Sequence, residues 1–170
     1  MKEREMDYSD ISRVNSEIAM IDMRGKDYAM VSERVTAFRK LWPDGFIRTE
    51  ILKMSEDGKV VIMKAKAGYY RDDGSEVVLS TGMAREVQGQ GMVNSTSHIE
   101  NAETSAIGRC LGLIGLGLNG GGICSAEELT NAILAQKQIE KEEKKAVKAA
   151  NDSTNGKAIG GVETADEIPF

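Results

Sequence analysis

Three runs rich in branched and aromatic residues, at 46–54 (FIRTEILKM), 59–70 (KVVIMKAKAGYY) and 75–87 (SEVVLSTGMAREV), are separated by SEDG (55–58) and RDDG (71–74). An acid followed by glycine supplies the positive φ that a tight hairpin turn needs. Two such turns joining three runs of strand length predict a three-stranded antiparallel β-meander. A lone meander leaves both faces of its sheet bare, so at least one face must be covered by helices.

Helices flank the meander. Residues 9–20 (SDISRVNSEIAM) and 27–42 (DYAMVSERVTAFRKLW) space their apolar residues helically, and Pro43 stops the second. After the strands, residues 97–118 open with Ser97-x-x-Glu100, the pattern of a capping box. They continue with Ile99, Ala102, Ala106, Ile107, Cys110, Leu111 and Ile114 on one stripe. Gly108 and Gly112 beside that stripe weaken a helix by up to about 1 kcal/mol each, so another backbone is expected close against them. A further helix starts at Ser125, favoured by Glu127 and Glu128 in its first turn. The fold class is therefore α+β, a β-β-β-α core packed against helices and followed by a flexible tail. The expected divisions are an α+β domain at 1–136, a charged helical extension at 137–150, a linker at 151–162 and an acidic tip at 163–170.

No apolar run approaches the roughly 18 residues that span a bilayer. The opening MKEREMDYSD lacks the apolar stretch of a signal peptide, so a cytoplasmic location is expected. Cys110 and Cys124 then read as reduced thiols. GLGLNG (115–120) fits the G-x-G-x-x-G pattern but follows a helix, so it reads as a glycine-rich helix exit rather than a dinucleotide turn. His98 lies at a helix start with no nucleophile in view, and Glu100 and Glu103 form no wider carboxylate cluster. No catalytic set, cofactor or metal site is expected, and the chain is read as a non-enzyme.

The net charge of −5 is unevenly spread: residues 34–71 hold nine bases against four acids. A basic middle implies a polyanion partner. Lys64 and Lys66 share one face of their strand, while Arg48 and Lys53, an odd number of residues apart, should point to opposite faces of theirs. Aromatic residues close by would stack bases while the cations hold phosphates, which is what a sequence-tolerant single-strand binder requires. The candidate DNA-binding residues are Arg34, Arg39, Lys40, Arg48, Lys53, Lys64, Lys66, Tyr69, Arg85 and Arg109. Arg109 stands among small residues on its helix and must reach solvent, an acid or a phosphate.

The segment Asp166, Glu167, Ile168, Pro169, Phe170 follows a glycine-containing stretch. It resembles the C-terminal tip of bacterial single-stranded DNA-binding proteins, the SSB family. That resemblance implies docking on enzymes of replication, recombination and repair, with the ring and proline filling an apolar pocket and the acids meeting bases. The body, with YAMVSERVTAFRKLWPDG (28–45) before the strands and ENAETSAIGRCLGLIGLG (100–117) after them, resembles phage single-strand annealing proteins of the Sak and Erf type and their relative Rad fifty-two. That resemblance implies a DNA groove containing Arg109 and the basic sheet face, and homo-oligomeric rings or filaments. The expected partners are single-stranded DNA and, through the tip, DNA-processing enzymes; no membrane partner is expected. Three readings stay open: a protein that anneals strands, one that only coats them, and an interaction module that mimics the tip without touching DNA.

Overall fold

In the computed structural model of the chain, which describes residues 7–89, 94, 96–118 and 122–155, the first helix α1 (Tyr8–Asn15) is started by Asp7. Its carboxylate accepts the amide hydrogens of Ser9 (2.7 Å) and Asp10 (3.2 Å). The helix is shorter than its apolar spacing suggests because Asn15 is diverted into a long-range contact. Its amide donates to the Gly115 carbonyl (2.8 Å), and its oxygen accepts from Gly117 N–H (2.9 Å). A small hairpin follows, β1 (Met20–Asp22) antiparallel to β2 (Asp27–Ala29), turning through Arg24 and Gly25 at φ 59° and 77°. Positive φ at both corner residues is the turn whose twist matches antiparallel strands. Residues 27–29, expected in a helix, are therefore in this hairpin, and α2 begins later (Val31–Leu41).

The meander stands as expected: β3 (Phe46–Met54), β4 (Val60–Tyr70) and β5 (Glu76–Val87), all antiparallel, with β4 central. Gly58 and Gly74 turn at φ 70° and 81°. One sheet face carries Val61, Met63, Ala65 and Ala67 of β4 into the core, where they meet Ala37 and Phe38 of α2 and Ala102, Ala106, Cys110 and Leu111 of α3 (His98–Ile114). The two helices thus share one side of the sheet. Small residues on both partners let α3 come close: a methyl at Gly82 of β5 would overlap the backbone of Cys110 and Ala106. Ser97 precedes α3, but its backbone lies at φ −131°, ψ 32° and its hydroxyl makes no cap bond, so the expected box at Ser97–Glu100 does not form. His98 instead anchors this end, with Nε2 2.8 Å from the Gly58 carbonyl in the β3–β4 turn.

Gly115, at φ 105°, ends α3, so the glycine pattern there is a helix exit. The last helix, α4 (Ala126–Asn155), carries the reciprocal cap. Ser125 Oγ accepts Glu128 N–H (3.3 Å), and the Glu128 carboxylate accepts Ser125 N–H (3.1 Å). The helix includes residues 151–155, which the sequence assigned to a linker; the tip at 163–170 lies outside the described residues. The chain divides into two compact units between Ala135 and Gln136. Among the described residues no helix is long and apolar enough to cross a membrane.

Candidate nucleic-acid interface

Among the described residues, no element packs on the face of the sheet turned away from α2 and α3. Strand alternation fixes what it shows. Across the three strands it presents Arg48, Lys66 and Thr81 in one row, Glu50, Lys64 and Met83 in the next, and Lys53, Ile62 and Arg85 in the third. Rows lie about 6.8 Å apart along a strand and columns about 4.8 Å apart. Lys53 joins this face because of a β-bulge. Ile51 pairs with Met63, yet Lys53 pairs with Ile62, so Leu52 is an extra residue that reverses the parity. The expectation that Arg48 and Lys53 point to opposite faces is thereby overturned.

Toward the β5 start the face becomes aromatic. The Arg48 guanidinium lies 4.7 Å from the Phe46 ring centroid, and Phe46 lies 5.3 Å from Tyr70. Arg48 also donates to the Tyr70 hydroxyl and to Glu76 Oε1 (2.6 Å). Phe46 is buried by this stack, while Tyr70 remains 44% exposed. Tyr69, expected on the DNA face, is one residue out of step, on the covered side with Ala67; Tyr70 takes its place. The open face also exposes Met83 (59%) and Val78 (47%).

Five bases, Arg48, Lys53, Lys64, Lys66 and Arg85, thus face two acids, Glu50 and Glu76. Lys64 Nζ is 3.0 Å from Glu50, whose carboxyl is held below its ordinary range by that hydrogen bond and the lysine charge. Among the described residues, Lys53, Lys66 and Arg85 form no ion pair, so the surplus charge faces outward.

The other cations are elsewhere. Arg34 is fully buried and cannot meet a phosphate on the surface. Its guanidinium donates to the carbonyls of Gly108 (2.6 Å), Ile123 (2.7 Å) and Cys124 (3.1 Å), which ties α2 to α3 and the start of α4. Gly112 of α3 makes room for it, since a methyl there would stand 2.7 Å from Arg34 Nη1, while one at Gly108 would meet the side chains of Val31 and Ser125. The expected close neighbour of these glycines is therefore largely a side chain, with the Ile123 carbonyl beside it. Arg39 donates to the Gly45 carbonyl and closes the turn into β3, and Lys40 pairs with Glu17 at 2.7 Å. Both belong to α2, on the covered side. Arg109 pairs with Glu128 at 2.7 Å on the same side. Of the three fates open to Arg109, the structure shows the acid. Glu103 is also accounted for, accepting from the Thr49 hydroxyl at 2.6 Å.

An α+β domain with two helices behind a meander and a bare, basic sheet face is the class of protein this geometry defines. Residues 35–114, from within α2 to the end of α3, match the family described as Slr1353 N-terminal dsRNA-binding domain-like. The match takes in the whole β3–β4–β5 sheet and a little under half of the chain. Comparison with curated proteins and comparison with solved structures gave no match.

Proposed function

We propose that this chain binds single-stranded DNA on the open face of the β3–β4–β5 sheet and serves recombination or replication by bringing complementary strands together without ATP. The grid of five bases around exposed Tyr70 and Met83 carries the reading. Phosphates are held by Arg48, Lys53, Lys64, Lys66 and Arg85, while unstacked bases lie on the tyrosine ring and the methionine. A duplex keeps its bases inside and makes no use of a stacking surface, so the exposed ring favours the single strand. The likeness of residues 35–114 to a family described as dsRNA-binding-like supports a nucleic-acid partner of some kind. The segment Asp166–Phe170 recruits DNA-processing enzymes, its acids meeting bases and its Ile-Pro-Phe filling an apolar pocket.

Fluorescence anisotropy with labelled single-stranded DNA, duplex DNA and duplex RNA across a salt series tests the reading. Tightest binding to the single strand, weakening as salt rises, is expected. The family likeness gives the second reading, a duplex RNA partner, and preference for that ligand would establish it instead. No binding to any of the three at low salt would leave a protein-interaction module. Annealing of complementary oligonucleotides, followed without ATP, separates a protein that joins strands from one that coats them.

A further inference from the structure

The first turn of α4 is attached to the domain by carboxylates more than by a core. Ser125 and Ala126 are buried, but no residue from Glu127 to Ala135 is. Glu127 reaches α2, where the Val31 amide donates to both of its oxygens (2.9 and 3.2 Å). Met30, the residue before that helix, supplies no side-chain cap, so Glu127 caps the α2 N-terminus from outside, in addition to Glu33 of the first turn. Glu128 accepts from Arg109 Nε at 2.7 Å. Nearby, buried Arg34 donates to three carbonyls, and among the described residues its Nε has no hydrogen-bond partner. Burial pushes the Arg34 pKa down, and the nearby charge of Glu128, Cys124 and Glu127 opposes that shift.

A helix N-terminus and an exposed guanidinium are both groups that hold phosphate. Here two successive carboxylates on one weakly packed turn occupy them. We propose that this turn is an autoinhibitory clasp: Glu127 and Glu128 stand where phosphates of a nucleic acid bind, and a bound strand displaces the turn and engages Arg109. No residue from 127 to 135 is fully buried, and the apolar Leu129, Ile133 and Ala135 are only partly so, which keeps the cost of opening below that of a core helix. The inference rests on the nucleic-acid reading above and adds a second contact on the opposite side of the sheet from the open face.

The test compares the full-length wild type with Glu128→Gln, Arg109→Ala and the double variant, by anisotropy with a labelled single-stranded oligonucleotide. Glutamine keeps an oxygen for the Ser125 amide and loses only the charge, so the helix cap survives. Glu128→Gln should bind about fivefold tighter, the scale of one freed charge-assisted contact, and Arg109→Ala should remove that gain. Hydrogen exchange on the wild type needs no variant: amides of residues 126–135 should exchange faster when oligonucleotide is bound. Equal affinity of Glu128→Gln and wild type, a gain that survives Arg109→Ala, or unchanged exchange would each overturn the clasp alone. Absence of wild-type binding would overturn the functional reading and the clasp together.

Discussion

Arg34 and Arg48 look alike in the sequence, each beside a branched apolar residue and within two residues of a glutamate, and the fold gives them opposite work. Arg34 fills the space left by Gly112 and Gly117 and donates to three carbonyls, with no ion pair among the described residues. Replacing it with methionine keeps most of its stem but removes three hydrogen bonds from a charged donor, at about 1.5–3 kcal/mol for each such bond. Arg34→Met should therefore lose at least about 3 kcal/mol in urea unfolding while the folded fraction keeps its oligonucleotide affinity. A variant of wild-type stability with weakened binding would return Arg34 to the interface. The glycine spacing was visible in the sequence and signalled a close approach. That the approaching group would be a guanidinium was not visible, because nothing local separates a buried arginine from an exposed one. Glu50 makes the converse case, an acid set among the bases of the open face and paired with Lys64. Glu50→Gln frees that lysine and removes a like charge from the phosphate path, so binding should tighten by about twofold to fivefold, the range of an exposed ion pair. Weaker binding would mean that Glu50 positions Lys64 rather than competing for it.

Among the elements, the meander was legible almost to the residue because its turns are made of glycines that only a few backbone conformations suit. The β1–β2 hairpin was not, since strands of three residues carry too little alternation, and only Arg24-Gly25 hinted at it. The bulge at Leu52 was also hidden, because counting residues assumes an unbroken pleat. Its consequence is to move Lys53 onto the face that holds Arg48, Lys64 and Lys66. Single alanine substitutions at Lys53, Lys66 and Arg85 should each weaken single-strand binding and lower the slope of log affinity against log salt by about 0.7, one phosphate contact apiece. Arg39→Ala and Lys40→Ala, on the covered side, should leave that slope unchanged. Equal losses at all five positions would mean that general positive charge, not this face, binds the strand. Deleting Leu52 should by contrast be tolerated, because Ile51 and Lys53 then follow each other in regular alternation and Lys53 stays opposite Ile62 on the open face, with affinity within about twofold of wild type.

For the whole molecule, a net charge of −5 argues against a polyanion partner only if the acids share the surface that binds. Most do not: the open sheet face holds five bases and only Glu50 and Glu76 as acids among the described residues. Acids such as Glu17, Glu103, Glu127 and Glu128 are engaged by Lys40, Thr49, Val31 and Arg109, away from it. Residues 136–170 are almost neutral in sum, with six bases and seven acids, so they neither supply nor cancel the binding charge. The division between Ala135 and Gln136 leaves the sheet, α2, α3 and the capped start of α4 in one unit. A chain ending at Ala135 should accordingly unfold cooperatively in urea, bind single-stranded DNA within about twofold of the full chain, and keep the same salt slope, since no phosphate contact is lost. It should at the same time lose the capture of DNA-processing enzymes that we propose for the Asp166–Phe170 segment. A truncated chain that folds but loses most of its affinity would place the main binding surface beyond residue 135. One with a markedly steeper salt slope would mean that the acidic segment competes with DNA for the basic face in the full chain.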